Sequence, residues 1–364
     1  MATFSFRNLL RPNIRTLQPY PSARSEFSGR ADIFLNANEN AFGSPFSADD
    51  SATGLPADLH RYPDPLALAV KDRYAAVKGC SPEQIFLGLG SDEAIDILLR
   101  MFCVPGHDRI IITPPTFVMY ASYCAIHDIG VCSVPLIEHN GSTFQLDVPA
   151  ILSAIDDTVK LIFLCSPNNP TGNLMAEEDM LTIIRTAPCM VVVDEAYIEF
   201  ADRASLLARL DEFPNLIILQ TFSKAWGLAG VRLGSAFASG DVIATMNAVK
   251  SPYNLNVHTQ EIACAVLDRA DHVTHTVQAL HSERLRLLPL LREIPCITRV
   301  HESSANFILT ETTDDARVYA HLLQSGIVVR LRKPDAYYRG GVRITVGTPE
   351  ENTALLIALR TFDV

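Results

Sequence analysis

An amide, a carboxylate with a phenol, and an amine follow three successive apolar runs of this chain. After residues 161–165 comes Ser166-Pro167-Asn168-Asn169-Pro170-Thr171-Gly172, after 190–193 comes Asp194-Glu195-Ala196-Tyr197, and after 216–219, one residue on, comes Thr221-Phe222-Ser223-Lys224. A lone lysine near a carboxylate is usually a structural ion pair, but a lysine set among such groups can act as a nucleophilic amine toward a carbonyl. In open α/β sheets ligands bind beyond the carboxyl ends of the strands, so neighbouring parallel strands would bring all four groups to one crevice.

Together these groups meet the demands of pyridoxal 5'-phosphate (PLP), which needs an amine for its aldehyde, an anion for its pyridine nitrogen, partners for its phenolic oxygen and ligands for its phosphate. Lys224 is the amine. Asp194 can keep the ring nitrogen protonated, so that the ring accepts electrons when a substrate α-proton leaves. Tyr197 and Asn168 can bond the phenolic oxygen. Gly88-Leu89-Gly90-Ser91-Asp92-Glu93 leads from a strand into a helical pattern over 94–102. The free N–H groups at Gly90, Ser91 and Asp92 and the positive helix end would then face an anion. Ser223 adds a hydroxyl and Arg232 a guanidinium fork. Phe117 can stack on the ring. Alone, the Gly-x-Gly-Ser-Asp segment is an ordinary turn with Ser91 as an N-cap, and Arg232 a surface charge. The weight lies in the set. His272 and His275 read as a solvated helix face, and no metal site is expected.

The elements that must hold these residues are legible as patterns. Apolar runs at 85–88, 109–112, 161–165, 190–194, 216–219 and 232–238 alternate with helical stretches. That predicts an α/β fold with a mostly parallel sheet covered on both faces. Beyond Tyr253, Val266, Ala270, Val273, Val277 and Leu280 recur at helical spacing, and Pro289 is expected to end or kink that helix. Strands are then expected at 306–310, 327–331 and 341–346, with helices at 316–324, stopped by Gly326, and 353–359. These define a smaller α+β domain. The expected organisation is an N-terminal arm (1–34), a large cofactor-binding domain (35–255) and a small C-terminal domain (256–364).

A chain of 364 residues with 48% hydrophobic content supports two such domains. Its net charge of -11 and lack of a basic run argue against nucleic acid or anionic membranes as partners, and leave a small anionic ligand in a locally cationic pocket. Eight scattered cysteines without a CxxC pair read as reduced, buried thiols. The first 25 residues carry Arg7, Arg11, Arg15 and Arg24 and no acid, but Pro12, Pro19 and Pro21 break any amphipathic targeting helix. With no apolar run of roughly 18 residues, a soluble cytoplasmic enzyme is expected, its arm part of the mature protein.

The motifs 166–172, Asp194-Glu195-Ala196-Tyr197, Ser223-Lys224-Ala225 and Gly230-Val231-Arg232-Leu233-Gly234 resemble, in order and spacing, those of the fold-type I PLP aminotransferases. Within them the chain is similar almost end to end to the histidinol-phosphate aminotransferase family. Leu17-Gln18-Pro19-Tyr20, Leu35-Asn36-Ala37-Asn38-Glu39, Arg61-Tyr62-Pro63-Asp64, 326–330 and Val342-Arg343-Ile344-Thr345-Val346-Gly347 carry that likeness. The resemblance implies a homodimer with Tyr62 reaching the PLP phosphate of the partner subunit, and a substrate pocket with Tyr20, Asn38, Asn168, Arg330 and Arg343. It implies amino-group exchange between L-histidinol phosphate and 2-oxoglutarate in histidine biosynthesis. Phe117 stands where many relatives carry a tyrosine, so the stack is kept and any role of a hydroxyl there is lost. Aromatic amino-acid aminotransferases and a threonine-phosphate decarboxylase share the fold and cofactor, and the PLP motifs do not separate them. A PLP-binding regulatory module is the non-enzyme alternative, and no basic helix-turn-helix stretch supports it.

Overall fold

The computed structural model describes residues 4–17, 59–139 and 143–363. Its strands are β1 (Ile85–Leu89), β2 (Arg109–Ile112), β3 (Gly130–Ser133), β4 (Ile137–His139), β5 (Thr143–Gln145), β6 (Val159–Cys165), β7 (Met190–Asp194), β8 (Leu216–Thr221), β9 (Leu233–Phe237), β10 (Ile297–Val300), β11 (Phe307–Thr312), β12 (Arg330–Arg332) and β13 (Gly341–Thr345). The helices are α1 (Pro12–Arg15), α2 (Leu68–Lys78), α3 (Gly90–Phe102), α4 (Met119–His127), α5 (Val148–Ser153), α6 (Glu177–Thr186), α7 (Gly240–Val249), α8 (Val257–Leu267), α9 (Ala270–Arg292), α10 (Asp315–Gln324) and α11 (Pro349–Arg360).

Seven strands form one sheet in the order β1-β9-β8-β7-β6-β2-β3. Its inner strands are nearly continuous apolar runs because both faces are covered. Leu161 and Phe163 of β6 join the cluster on one face with Met190, Val192, Ile217 and Leu219. Ile162 and Leu164 join the opposite cluster with Val191, Val193 and Ile218. All the strands are parallel except β9, which runs antiparallel to both β1 and β8. The mostly parallel expectation therefore holds, with one reversed strand that the apolar pattern does not reveal. That reversal puts the residues just before β9 at the same edge as those just after β1 and β8.

The second sheet, β10-β11-β13-β12, is antiparallel. Its core of Ile308, Val342 and Ile344 is closed by Leu287 and Leu291 of α9, Leu322 of α10 and Leu355 and Leu359 of α11. The start of the expected small domain packs elsewhere: α8 contributes Ala263 and Leu267 to a cluster of the large sheet that also holds Val70 and Tyr74 of α2.

Several local expectations are corrected. The helical stretch around Val266 is two helices, α8 ending at Leu267 and α9 beginning at Ala270. Pro289 does not end α9, which continues to Arg292. Pro289 and Leu285 both lie on its exposed side, where water can meet the carbonyl that proline leaves unpaired. The 327–331 run supplies strand only from Arg330 onward, since Ile327 N–H turns back to Leu322 O at 2.8 Å. Pro12 occupies the first position of the short helix α1 and does not prevent it. Phe6 and Leu10 beside it pack into the large-sheet core.

All eight cysteines are unpaired and none is exposed. His272 and His275 are exposed, and no group of metal-binding side chains occurs among the described residues. No described helix is long and apolar enough to cross a membrane.

Gly234 of β9 lies against the first turn of α3. A Cβ there would fall on Ser91 N and on Gly90 C, backbone atoms that cannot swing away. Gly234→Ala is expected to cost about 1–3 kcal/mol in urea denaturation. An unchanged midpoint would show that β9 and α3 do not need this close approach.

Candidate active site

The carboxyl edge of the large sheet and one face of β12 and β13 enclose a cavity of about 440 Å³. Gly90, Ser91, Asp92, Phe117, Asp194, Tyr197, Ser223, Lys224, Arg232, Arg330 and Arg343 all line it. Strand register accounts for the convergence: Cys165 is paired with Asp194 and Asp194 with Leu219, so the ends of β6, β7 and β8 lie level.

Asp194 forms the most constrained part. It is 2% exposed, and its carboxylate accepts from Tyr120 Oη at 2.6 Å and from Ala196 N at 3.0 Å. Burial drives its pKa upward, opposed by those two hydrogen bonds. Both donors are neutral and Asp194 has no salt-bridge partner among the described residues, so this buried carboxylate calls for a positive group from the cavity.

A protonated ring nitrogen fits that demand. Lys224 reaches the same space with its Nζ 5.8 Å from the centre of the Tyr197 ring. Burial, then Arg343 and Arg232, hold its pKa below the ordinary lysine range, which favours the neutral, nucleophilic amine. Tyr197 is itself buried, its ring edge-on to Phe307 at 5.1 Å.

The anion end is built by α3, β8 and β9. Among the described residues no side chain caps α3, and Ser91 lies inside its first turn instead of at the N-cap. Gly90 N–H is taken by the Arg232 carbonyl at 2.9 Å, which leaves the N–H groups of Ser91 and Asp92 as the ones able to face an anion. Arg232 has a left-handed backbone (φ 59°), unusual for a non-glycine residue. Its guanidinium stands 3.6 Å from Asp92, and a Cβ at Gly90 would crowd it at 2.9 Å. Ser223 completes this end, its N–H held by Thr221 Oγ1 at 3.1 Å.

One further sequence expectation changes. Asn168 is fully buried and turned away from the cavity: its Nδ2 donates to Pro115 O at 2.8 Å and Thr171 Oγ1 at 2.7 Å, and its Oδ1 accepts from Thr116 at 3.3 Å. Its neighbour Asn169 lines the cavity instead and accepts from Arg343 Nη1 at 2.7 Å. Two adjacent amides are indistinguishable in sequence, and only the path of the loop separates them. Tyr62, expected at the site of the partner subunit, does not line the cavity of its own chain; it is 50% exposed and stacks on Tyr253 at 4.4 Å. Tyr20 and Asn38 lie outside the described residues.

Tyr120 and Arg332 escape sequence reasoning. Tyr120 lies three residues beyond Phe117, close to one helical turn, and that spacing is the signal that could have found it. Arg332 lines the cavity with Arg330.

Residues 31–359 match the family model for aminotransferase class I and II. The chain is 45% identical over 359 residues to a histidinol-phosphate aminotransferase of Cytophaga hutchinsonii, covering 99% of each chain. Its fold is similar to that of histidinol-phosphate aminotransferase from Sinorhizobium meliloti in complex with pyridoxal-5'-phosphate, at a TM-score of 0.76 and 24% identity, covering 89% of each chain. It is also similar in fold to L-threonine-O-3-phosphate decarboxylase from Porphyromonas gingivalis, at a TM-score of 0.71 and 23% identity, over 84% of this chain and 91% of that one.

Tyr120→Phe keeps the ring that stacks on Phe163 at 4.7 Å and removes only the hydroxyl. The loss of a hydrogen bond to a carboxylate is expected to cost about 1.5–3 kcal/mol in denaturation. The Asp194 pKa should rise further, since this bond is one of the groups lowering it. Carboxyl-carbon NMR would follow that titration, and an unmoved Asp194 would remove Tyr120 from the role.

Proposed function

Because the chain belongs to the histidinol-phosphate aminotransferases, within the class I and II aminotransferases, we propose that it binds PLP and exchanges the amino group of L-histidinol phosphate with 2-oxoglutarate. The observation that carries the substrate assignment is a pair of like charges: Arg330 and Arg343 are register partners across β12 and β13 and both line the cavity. Like charges opposite one another are unfavourable in a sheet unless something anionic sits between them.

PLP, when bound, supplies an electron sink for the carbon that loses its proton. Lys224 would hold the cofactor covalently and, once released by the donor, its Nζ would act as the base that takes the proton from the donor's α-carbon and as the acid that delivers it across the nitrogen to the cofactor carbon, so that the amino group stays with the cofactor. Asp194 keeps the ring nitrogen protonated. Tyr197 and Asn169 bond the phenolic oxygen, and Phe117 stacks on the ring. Ser91, Asp92, Ser223 and Arg232 hold the cofactor phosphate, with Gly90 leaving room for the Arg232 guanidinium. Arg330 and Arg343 bind the donor's phosphate, Arg343 serving the α-carboxylate of glutamate in the other half-reaction, and Tyr20 and Asn38 complete the substrate end. The enzyme is expected in the cytoplasm, with its thiols reduced.

The protein is then a homodimer in which Tyr62 reaches the phosphate site of the partner subunit. The exposed ring of Tyr62 and the exposed Leu66, Leu68 and Leu89 support a covered surface there. Mixed dimers of Lys224→Ala and Tyr62→Phe chains should regain activity above either parent, since one of their two sites carries neither lesion. Verified mixed dimers without that gain would reject a shared site.

The purified protein should absorb in the visible and lose its borohydride-reducible adduct in Lys224→Ala. With a small donor panel, it should convert histidinol phosphate in preference to histidinol, phenylalanine and threonine phosphate. Preference for phenylalanine would favour an aromatic aminotransferase, and carbon dioxide release from threonine phosphate a decarboxylase.

A further inference from the structure

We propose that Arg332 is a specificity-determining residue that joins Arg330 and Arg343 in a three-arginine subsite for a phosphorylated donor, with Tyr338 as the residue that positions it. This rests on the cavity being a phosphorylated-donor site, as proposed above.

Alternation along β12 sends Arg330 and Arg332 to the cavity, while Leu331 packs against the small-domain core. Opposite Arg332 the register partner is Gly341, which has no side chain to compete for the space. A Cβ at Gly341 would fall on Thr310 O, so the position holds glycine for backbone reasons.

Charge points the same way. Arg339 pairs with Glu311, and Arg232 lies near Asp92. Arg330, Arg332 and Arg343 have no carboxylate partner among the described residues, although the chain carries a net charge of -11. Arg343 is held by Asn169 and lies over the Phe307 ring at 5.0 Å, neither of which neutralises it. Burial, then Arg332 and after it Arg330, depress the basicity of Arg343. Three guanidiniums in one cavity repel, and a dianionic phosphate relieves more of that repulsion than a single carboxylate.

Tyr338 fixes the direction. Its hydroxyl accepts from Arg332 Nε at 3.2 Å, leaving the terminal nitrogens for a ligand. Tyr338 is itself held by its N–H to Asp335 Oδ1 at 3.2 Å.

Single-turnover conversion of the PLP form by histidinol phosphate and by glutamate should be measured in wild type, Arg332→Gln, Arg332→Lys and Tyr338→Phe. Arg332→Gln should lose about ten- to a hundredfold with histidinol phosphate and little with glutamate. Arg332→Lys should recover part of the loss, and Tyr338→Phe should weaken donor binding without slowing the bound donor. Inorganic phosphate should compete less well against Arg332→Gln than against wild type. Equal losses for both donors, or none, with wild type still preferring histidinol phosphate, would overturn this inference alone. A wild type indifferent to the donor's phosphate would overturn it together with the proposed function.

Discussion

A carboxylate buried at the end of a central strand sets the terms for the rest of the site. Asp194 stands where β7 leaves the sheet, and its two hydrogen-bond donors, Tyr120 and Ala196, are neutral. Burial raises its pKa against those two hydrogen bonds, so a positive group arriving from the cavity would favour the ionised form. Tyr120 is tied to this need: it is fully buried, stacked on Phe163, and its own pKa is pushed well above the ordinary range by burial and by Asp194.

The reversed strand β9 gathers the other groups around that carboxylate. Lys224 follows β8 and Arg232 precedes β9, and the antiparallel pairing returns both to the edge where β1 ends. The close approach of β9 to α3 at Gly234 brings the start of that helix beside Arg232. One topological feature thus joins the amine to the anion end.

The small sheet supplies the opposite charge environment. β12 and β13 present to the cavity arginines that no carboxylate pairs among the described residues. The cavity therefore has cationic groups at two ends, Arg232 with the α3 terminus at one and the β12–β13 arginines at the other, which suits a cofactor and a substrate that each carry an anion.

Much of this is legible in the chain itself. Apolar runs followed by Ser166, Asp194 and, a few residues on, Lys224 mark strands buried on both faces with polar groups beyond their carboxyl ends, because such strands can bury little else along their length. Pairing direction is not written in an apolar run, so the reversal of β9 required the tertiary structure. Periodicity likewise cannot tell that Pro289 sits on a solvated face and leaves α9 intact. Asn168 and Asn169 are chemically identical neighbours, and the fold of their loop alone buries one and turns the other to Arg343. Arg332 reads in the chain as one more surface charge, and only the register of a three-residue strand puts it beside Arg330 in the cavity. Sequence determined which chemical groups were present and near which strand ends; tertiary packing decided which of them face one another, since that depends on strand direction, register and loop path across distant segments.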